Sequence, residues 1–212
     1  MLGPVEHRGM PLQDAGAAVV LLHGRGGTAA SMLDLVSSMP DLPVAWLAPQ
    51  APGNTWYPQS FIAPLEANEP ALSQALETIH DVMTQVVGSG VDRSRIVLMG
   101  FSQGACLAAE YALRRSARYG GLVLLTGGAI GPDGTSWEGP ADFAGMPVFA
   151  GTSDPDPHVP VTRVRETVDV LERRGAVVRL QTYPGMPHTV NTDELDHATT
   201  LIRAAVGEGM AS

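Results

Sequence analysis

Cysteine is almost missing from this sequence: Cys106 is the only one in 212 residues. A single thiol excludes an internal disulfide framework and suits a reducing compartment, so the cytoplasm is the expected location. Basic residues are scarce as well, 13 Lys and Arg against 22 Asp and Glu, for a formal net charge of −9. Nucleic acid and anionic membrane surfaces both need a positive face, and neither is expected as a main partner. The apolar run AGAAVVLL is too short to span a bilayer and reads as a buried strand, so no integral membrane association is expected. The opening MLGPVEHRGMPLQ has no apolar core of the kind a secretory signal needs.

Repeats, charge blocks and linkers are also missing, while 44% apolar and 17% charged residues describe an ordinary globular chain. Its length allows one full hydrophobic core, and residues 1–212 are expected to form one domain. A homodimer is compatible with this composition. Apolar runs recur at 17–22, 43–48, 95–99, 122–125, 147–151 and 177–183, each closed by Gly or Pro. Runs that do not alternate with polar residues suit strands covered on both faces, as in a parallel sheet. Helical patterns fall between them at 29–38, 71–87, 103–115, 161–174 and 193–206. Their ends carry expected signals: Pro70 and Pro160 at first turns, Gly175 after a last turn, and Asn191 three residues before Glu194. Strand and helix alternate, which predicts an α/β fold with an open sheet and helices on both faces. Ligands then sit at the carboxyl ends of the strands, and the long loop 49–69 is expected to work at that rim.

Between a strand and an amphipathic helix stands G-F-S-Q-G, Gly100 to Gly104. The two glycines let strand and helix crowd around a sharp turn that lifts Ser102 to the amino end of the helix. Cys106, one helical turn further on, has no such turn and reads as a small core residue. An earlier strand ends in H-G-R-G-G, His23 to Gly27. It lacks the pattern of a dinucleotide loop and the lysine of a P-loop. In this position it matches a loop donating one N–H to an oxyanion, the other coming from the residue after the nucleophile. The amides of Arg25 and Gln103 are the candidates, because fixed amides need no reorganisation as charge develops. His23 reads as a brace for its loop.

A serine needs an imidazole to take its proton, and the imidazole needs a carboxylate to hold its tautomer. Of six histidines, His188 follows the last strand in a loop tightened by Pro184, Gly185 and Pro187. His80 and His197 lie in helical patterns and read as surface residues, and His7 sits in an unstructured-looking start. The acid is offered twice in GTSDPDPHVP, by Asp154 and Asp156, and both precede proline, so local conformation does not choose. The order Ser102, Asp154 or Asp156, His188 is nucleophile, acid, base. A metal clip of Asp154, Asp156 and His158 would need further ligands that the neighbourhood does not offer, so no metal is assigned.

H-G-R-G-G, G-F-S-Q-G, D-P-H-V-P and G-M-P-H together make the chain resemble the carboxylesterase/phospholipase branch of the α/β hydrolases, which includes acyl-protein thioesterases. The resemblance runs from the loop near residue 23 to the final helix. It departs at Pro187, where the family often has glycine. It implies the α/β-hydrolase fold with a minimal cap, and cofactor-free hydrolysis of a small-molecule ester with a small or medium acyl group. The full D-P-H-V-P match favours Asp156 as the acid, with Asp154 as a turn residue or supporting partner. The expected set is thus Ser102, His188 and Asp156, with Arg25 and Gln103 as oxyanion donors. Trp56 and Tyr57 are expected to wall the substrate pocket, with Met186 and Leu65 extending it, although packing of their loop would also explain the aromatics. Action on thioesters is one alternative. A ligand-binding protein that has kept the fold without turnover is another.

Overall fold

The computed structural model describes residues 3–137, 139 and 143–207. Seven strands form the sheet: Val5–Gly9 (β1), Ala18–Leu22 (β2), Ala45–Pro49 (β3), Ile96–Phe101 (β4), Gly121–Leu125 (β5), Pro147–Asp154 (β6) and Val177–Pro184 (β7). Their order is β1-β3-β2-β4-β5-β6-β7. Only β1 runs antiparallel to its neighbour; the other pairs are parallel. Among the described residues five α-helices cover it: Ala29–Val36 (α1), Ala71–Gly88 (α2), Gln103–Arg114 (α3), Val161–Arg173 (α4) and Thr192–Val206 (α5).

Two apolar layers follow from the pleat. Ala18, Val20 and Leu22 of β2 point to the face under α2, α3 and α4, while Val19 and Leu21 point to the face under α1 and α5. Side chains alternate along a strand, so a run such as AVVLL fills both layers. Among the described residues no helix is long and apolar enough to cross a membrane.

The expected helix and strand positions agree with these bounds to within a few residues, with two exceptions. β1, which contains His7, was not legible: VEHRG carries one apolar residue, and backbone pairing with β3 makes it a strand. β7 was expected to be covered on both faces but lies at the sheet edge, with Val177 67% exposed.

Capping fixes the helix that follows the histidine loop. Asn191 Oδ1 accepts the Glu194 N–H at 2.9 Å, and Glu194 Oε2 accepts the Asn191 N–H at 2.9 Å. The price of this box is a buried carboxyl: Glu194 is fully covered and its Oε1 has no hydrogen-bond partner among the described residues. Burial, together with nearby Asp193, pushes the Glu194 carboxyl up to about 7, only partly offset by the Asn191 amide.

The unfolded chain ionises this carboxyl near 4.5. Between that value and the folded one, the folded protein holds an extra proton, so this group makes stability fall as pH rises through the window, with no recovery above it. Glu194→Gln keeps an acceptor for Asn191 and removes the ionisation. In denaturant titrations the variant is expected to lose about 2–3 kcal/mol less stability than wild type between pH 5 and pH 8. Equal losses would show that the carboxyl ionises normally.

Candidate active site

The sharp turn after β4 has the geometry its glycines allow. Ser102 stands at φ 54° and ψ −118°, in the left-handed half of the map that side chains rarely enter. A Cβ on Gly100 would lie 2.3 Å from the Gly104 carbonyl oxygen, and one on Gly104 would lie 2.1 Å from that of Leu22. Strand, turn and helix therefore meet backbone to backbone, and no other residue fits at either position. The Ser102 N–H donates to the Leu125 carbonyl at 2.9 Å, tying the turn to β5. Gln103 opens α3, whose first N–H groups have no partner within the helix.

The His23–Gly27 loop packs against this turn. A Cβ on Gly24 would come within 3.3 Å of the Ser102 Cβ. His23 is fully buried, and burial lowers its pKa, a backbone bond to Gly24 opposing. Its Nε2 accepts the Ala51 N–H at 3.1 Å, which leaves the proton on Nδ1, facing the Gly24 carbonyl at 2.8 Å. His23 braces the loop, as expected. The Arg25 guanidinium donates to the carbonyls of Pro58 at 2.9 Å and Gln59 at 2.6 Å.

Ser102, His188 and Asp156 come together from three loops. His188 Nε2 lies 2.8 Å from Ser102 Oγ, and His188 Nδ1 lies 2.8 Å from Asp156 Oδ2. An ionised carboxylate can only accept, so Nδ1 carries the proton and Nε2 offers its lone pair to the serine hydroxyl. Asp156 Oδ1 accepts the N–H groups of His158 and Val159, both at 2.8 Å, and Oδ2 also accepts Ser153 Oγ–H at 2.6 Å. Burial works to raise this carboxyl, but the hydroxyl, imidazole and amide donors outweigh it and hold it below the usual range. Asp154 contributes its backbone instead, its carbonyl taking the Gly185 N–H at 2.9 Å and joining β6 to the histidine loop.

A cavity of about 430 Å³ opens over Ser102. Tyr57, Phe61, Phe101, Cys106 and Val159 supply its apolar lining, with Arg25 and His158 also bordering it. Cys106 is buried, and burial pushes its thiol up to about 12, so it is inert packing. The His158 ring meets His188 edge-on at 4.8 Å. Trp56 corrects its expected role: it is 3% exposed, does not line the cavity, and donates its indole N–H to the His23 carbonyl at 2.8 Å. Met186 and Leu65 do not line it either. His80 and His197 are half-buried instead of on the surface; His80 Nδ1 meets Tyr111 Oη at 3.3 Å, and His197 stacks on Phe149 at 4.7 Å. Among the described residues no group of His, Cys, Asp and Glu is arranged to hold a metal ion.

Two residues escaped the sequence reading. Ser153 is one. The other is the Gln103 side chain, whose Oε1 accepts the Trp56 N–H at 3.0 Å while Nε2 donates to the Tyr57 carbonyl at 2.8 Å. An amide that faces an unpaired loop backbone leaves no sequence pattern; a polar residue on the buried face of a helix start was the one available signal.

Known proteins are similar to this chain in sequence and in fold. The family model described as Phospholipase/Carboxylesterase matches residues 10–206. Acyl-protein thioesterase 1 of Cryptococcus neoformans is 24% identical over 222 residues, covering 90% of this chain and 92% of that protein. Acyl-protein thioesterase 1 of Gibberella zeae is 31% identical over 126 residues, 58% of this chain and 54% of that protein, so that match spans about half of the relative's length. The crystal structure of a phospholipase/carboxylesterase from Dyadobacter fermentans superposes with a TM-score of 0.90 at 44% identity, covering 94% of this chain and 96% of that one.

The backbone contact at Gly104 has a direct consequence. Gly104→Ala places a methyl group into the Leu22 carbonyl and is expected to cost about 3 kcal/mol or more, because backbone cannot step aside as a side chain can. Thermal melting measures this; an unchanged midpoint would contradict the packing.

Proposed function

Because the chain belongs to the phospholipase/carboxylesterase family of α/β hydrolases, we propose that it hydrolyses carboxylic esters of small to medium acyl chains through an acyl-enzyme. The observation that carries this reading is the pair of 2.8 Å contacts from His188, one to Ser102 and one to Asp156. Ser102 attacks the ester carbonyl as His188 Nε2 takes its proton. Asp156 keeps the imidazole in the right tautomer and steadies the imidazolium that forms. The backbone N–H groups of Arg25 and Gln103 receive the developing oxyanion, each such donor being worth about 3 kcal/mol. His188 then protonates the leaving alcohol, and a water activated by the same nitrogen releases the acid.

The half-apolar cavity wall of Tyr57, Phe61, Phe101 and Val159 suits an acyl or alcohol group of modest size. Residues 1–212 act as one domain in this reading, and a reducing compartment such as the cytoplasm suits the lone buried thiol. Cleavage of thioesters is the second reading, favoured by the two curated relatives named acyl-protein thioesterase 1.

A fluorophosphonate probe is expected to label the protein at Ser102, and Ser102→Ala to remove both labelling and turnover of a short-chain aryl ester while the fold persists. Full turnover by that variant would end the assignment and favour a binding protein. Asp156→Asn is expected to lower kcat/KM by about 10⁴-fold, with Asp154→Asn close to wild type; the reverse ranking would move the acid. An oxyester and a thioester of equal chain length, compared by kcat/KM, separate the two substrate classes.

A further inference from the structure

Asp156 Oδ2 is shared. It receives the His188 ring N–H at 2.8 Å and the Ser153 hydroxyl at 2.6 Å. Ser153 is fully buried, one residue from the end of β6, and Asp156 has no exposed side-chain surface. A hydroxyl that donates to an ionised oxygen spreads its charge, and the imidazole on the same oxygen then meets a weaker negative field. We propose that Ser153 is a positioning residue of this site: its hydroxyl fixes the rotation of the Asp156 carboxylate and draws off part of its charge, and so sets how readily His188 takes a proton. The inference rests on the triad reading above and concerns how that triad is tuned.

Rotation matters because the other oxygen, Oδ1, is held by the amides of His158 and Val159, both on the same tight turn as Asp156. Ser153 holds the carboxylate from the strand side, so the group is gripped at both oxygens by partners other than His188. The charged and titratable groups around this pair are few. Tyr183 of β7 pairs with Ser153 in the strand register, and its hydroxyl is committed to Asp193 at 2.7 Å. Glu194 of α5 presses on Gly151, two positions back on the same face of β6. Asp154 follows Ser153 directly. On the cavity side His188 faces His158 edge-on and the Phe101 ring at 5.1 Å. Apart from His188 none of these donates to Oδ2, so Ser153 is the group whose removal changes that oxygen and leaves the imidazole in place.

Removing the hydroxyl returns charge to Oδ2 and stabilises the protonated imidazole, so the acid limb of activity moves upward in pH. Ser153→Ala should fold, bind the fluorophosphonate probe at Ser102, and show the acid limb of its kcat/KM profile displaced upward by about half a pH unit or more. Activity at pH 7 should fall roughly 3- to 30-fold. Ser153→Cys keeps a heavy atom in place but offers a much weaker donor, and should fall between Ala and wild type. It also reads the effect should the alanine variant fail to fold. A labelled, active Ser153→Ala whose acid limb coincides with wild type, or moves down, overturns the inference and reduces Ser153 to packing. Failure of the probe to label Ser102 in the wild-type protein, with turnover surviving Ser102→Ala, overturns the triad reading itself. The two failures are distinct.

Discussion

The turn at Ser102 depends on a crowding that only bare backbone tolerates. The start of α3 lies against the end of β2 so closely that the carbonyl of Leu22 occupies the space a Gly104 side chain would need. That closeness bends the chain between β4 and α3, and the bend holds Ser102 at a positive φ. A serine in this conformation carries backbone strain, of order 1–3 kcal/mol for such residues. The strain persists because β2, β4 and β5 each fix one side of the turn. The candidate site is arranged around it: the His23–Gly27 loop leans on Ser102, and the loops carrying Asp156 and His188 reach it from the ends of β6 and β7.

Electrostatics adds a second layer of order. Asp156 gathers four donors, from a hydroxyl, an imidazole and two amides, and they hold its carboxyl below the usual range against the upward pull of burial. Glu194 shows what happens without such donors. It lies deeper, accepts one amide, leaves one oxygen without a hydrogen-bond partner among the described residues, and is pushed up to about 7. Burial raises both carboxyls; the donors around Asp156 more than reverse it, and the single amide at Glu194 does not.

Much of this was legible from the chain alone. The parallel strands announced themselves as unbroken apolar runs, and the helices by their caps. Ser102 and His188 stood out because their loops contain the glycines and prolines that sharp turns demand. Which aspartate meets His188 was not legible locally. Asp154 and Asp156 both precede proline, and what separates them is that the amides of His158 and Val159 curl back onto Asp156, a relation between residues two and three apart that a pattern does not record. Trp56 misled for a related reason: an aromatic residue in a rim loop looks the same whether its ring faces a cavity or the core, and here the indole N–H turned inward to His23. β1 hid because pairing through backbone needs no apolar side chains. Ser153 hid because one serine in a strand carries no signal until its neighbour's carboxylate is located.

Gln103 joins two roles that could have been separate. Its backbone begins α3 beside the serine, while its side chain clamps the main chain at Trp56 and Tyr57 from both sides. Arg25 grips the next two residues, Pro58 and Gln59, by their carbonyls. The cavity wall over Ser102 is therefore bolted to Gln103 and Arg25, on the two loops that meet at that serine. Evolution, or an engineer, cannot exchange that loop as an independent cassette: a graft that brings a new lining without matching residues 25 and 103 would loosen the machinery along with the selectivity.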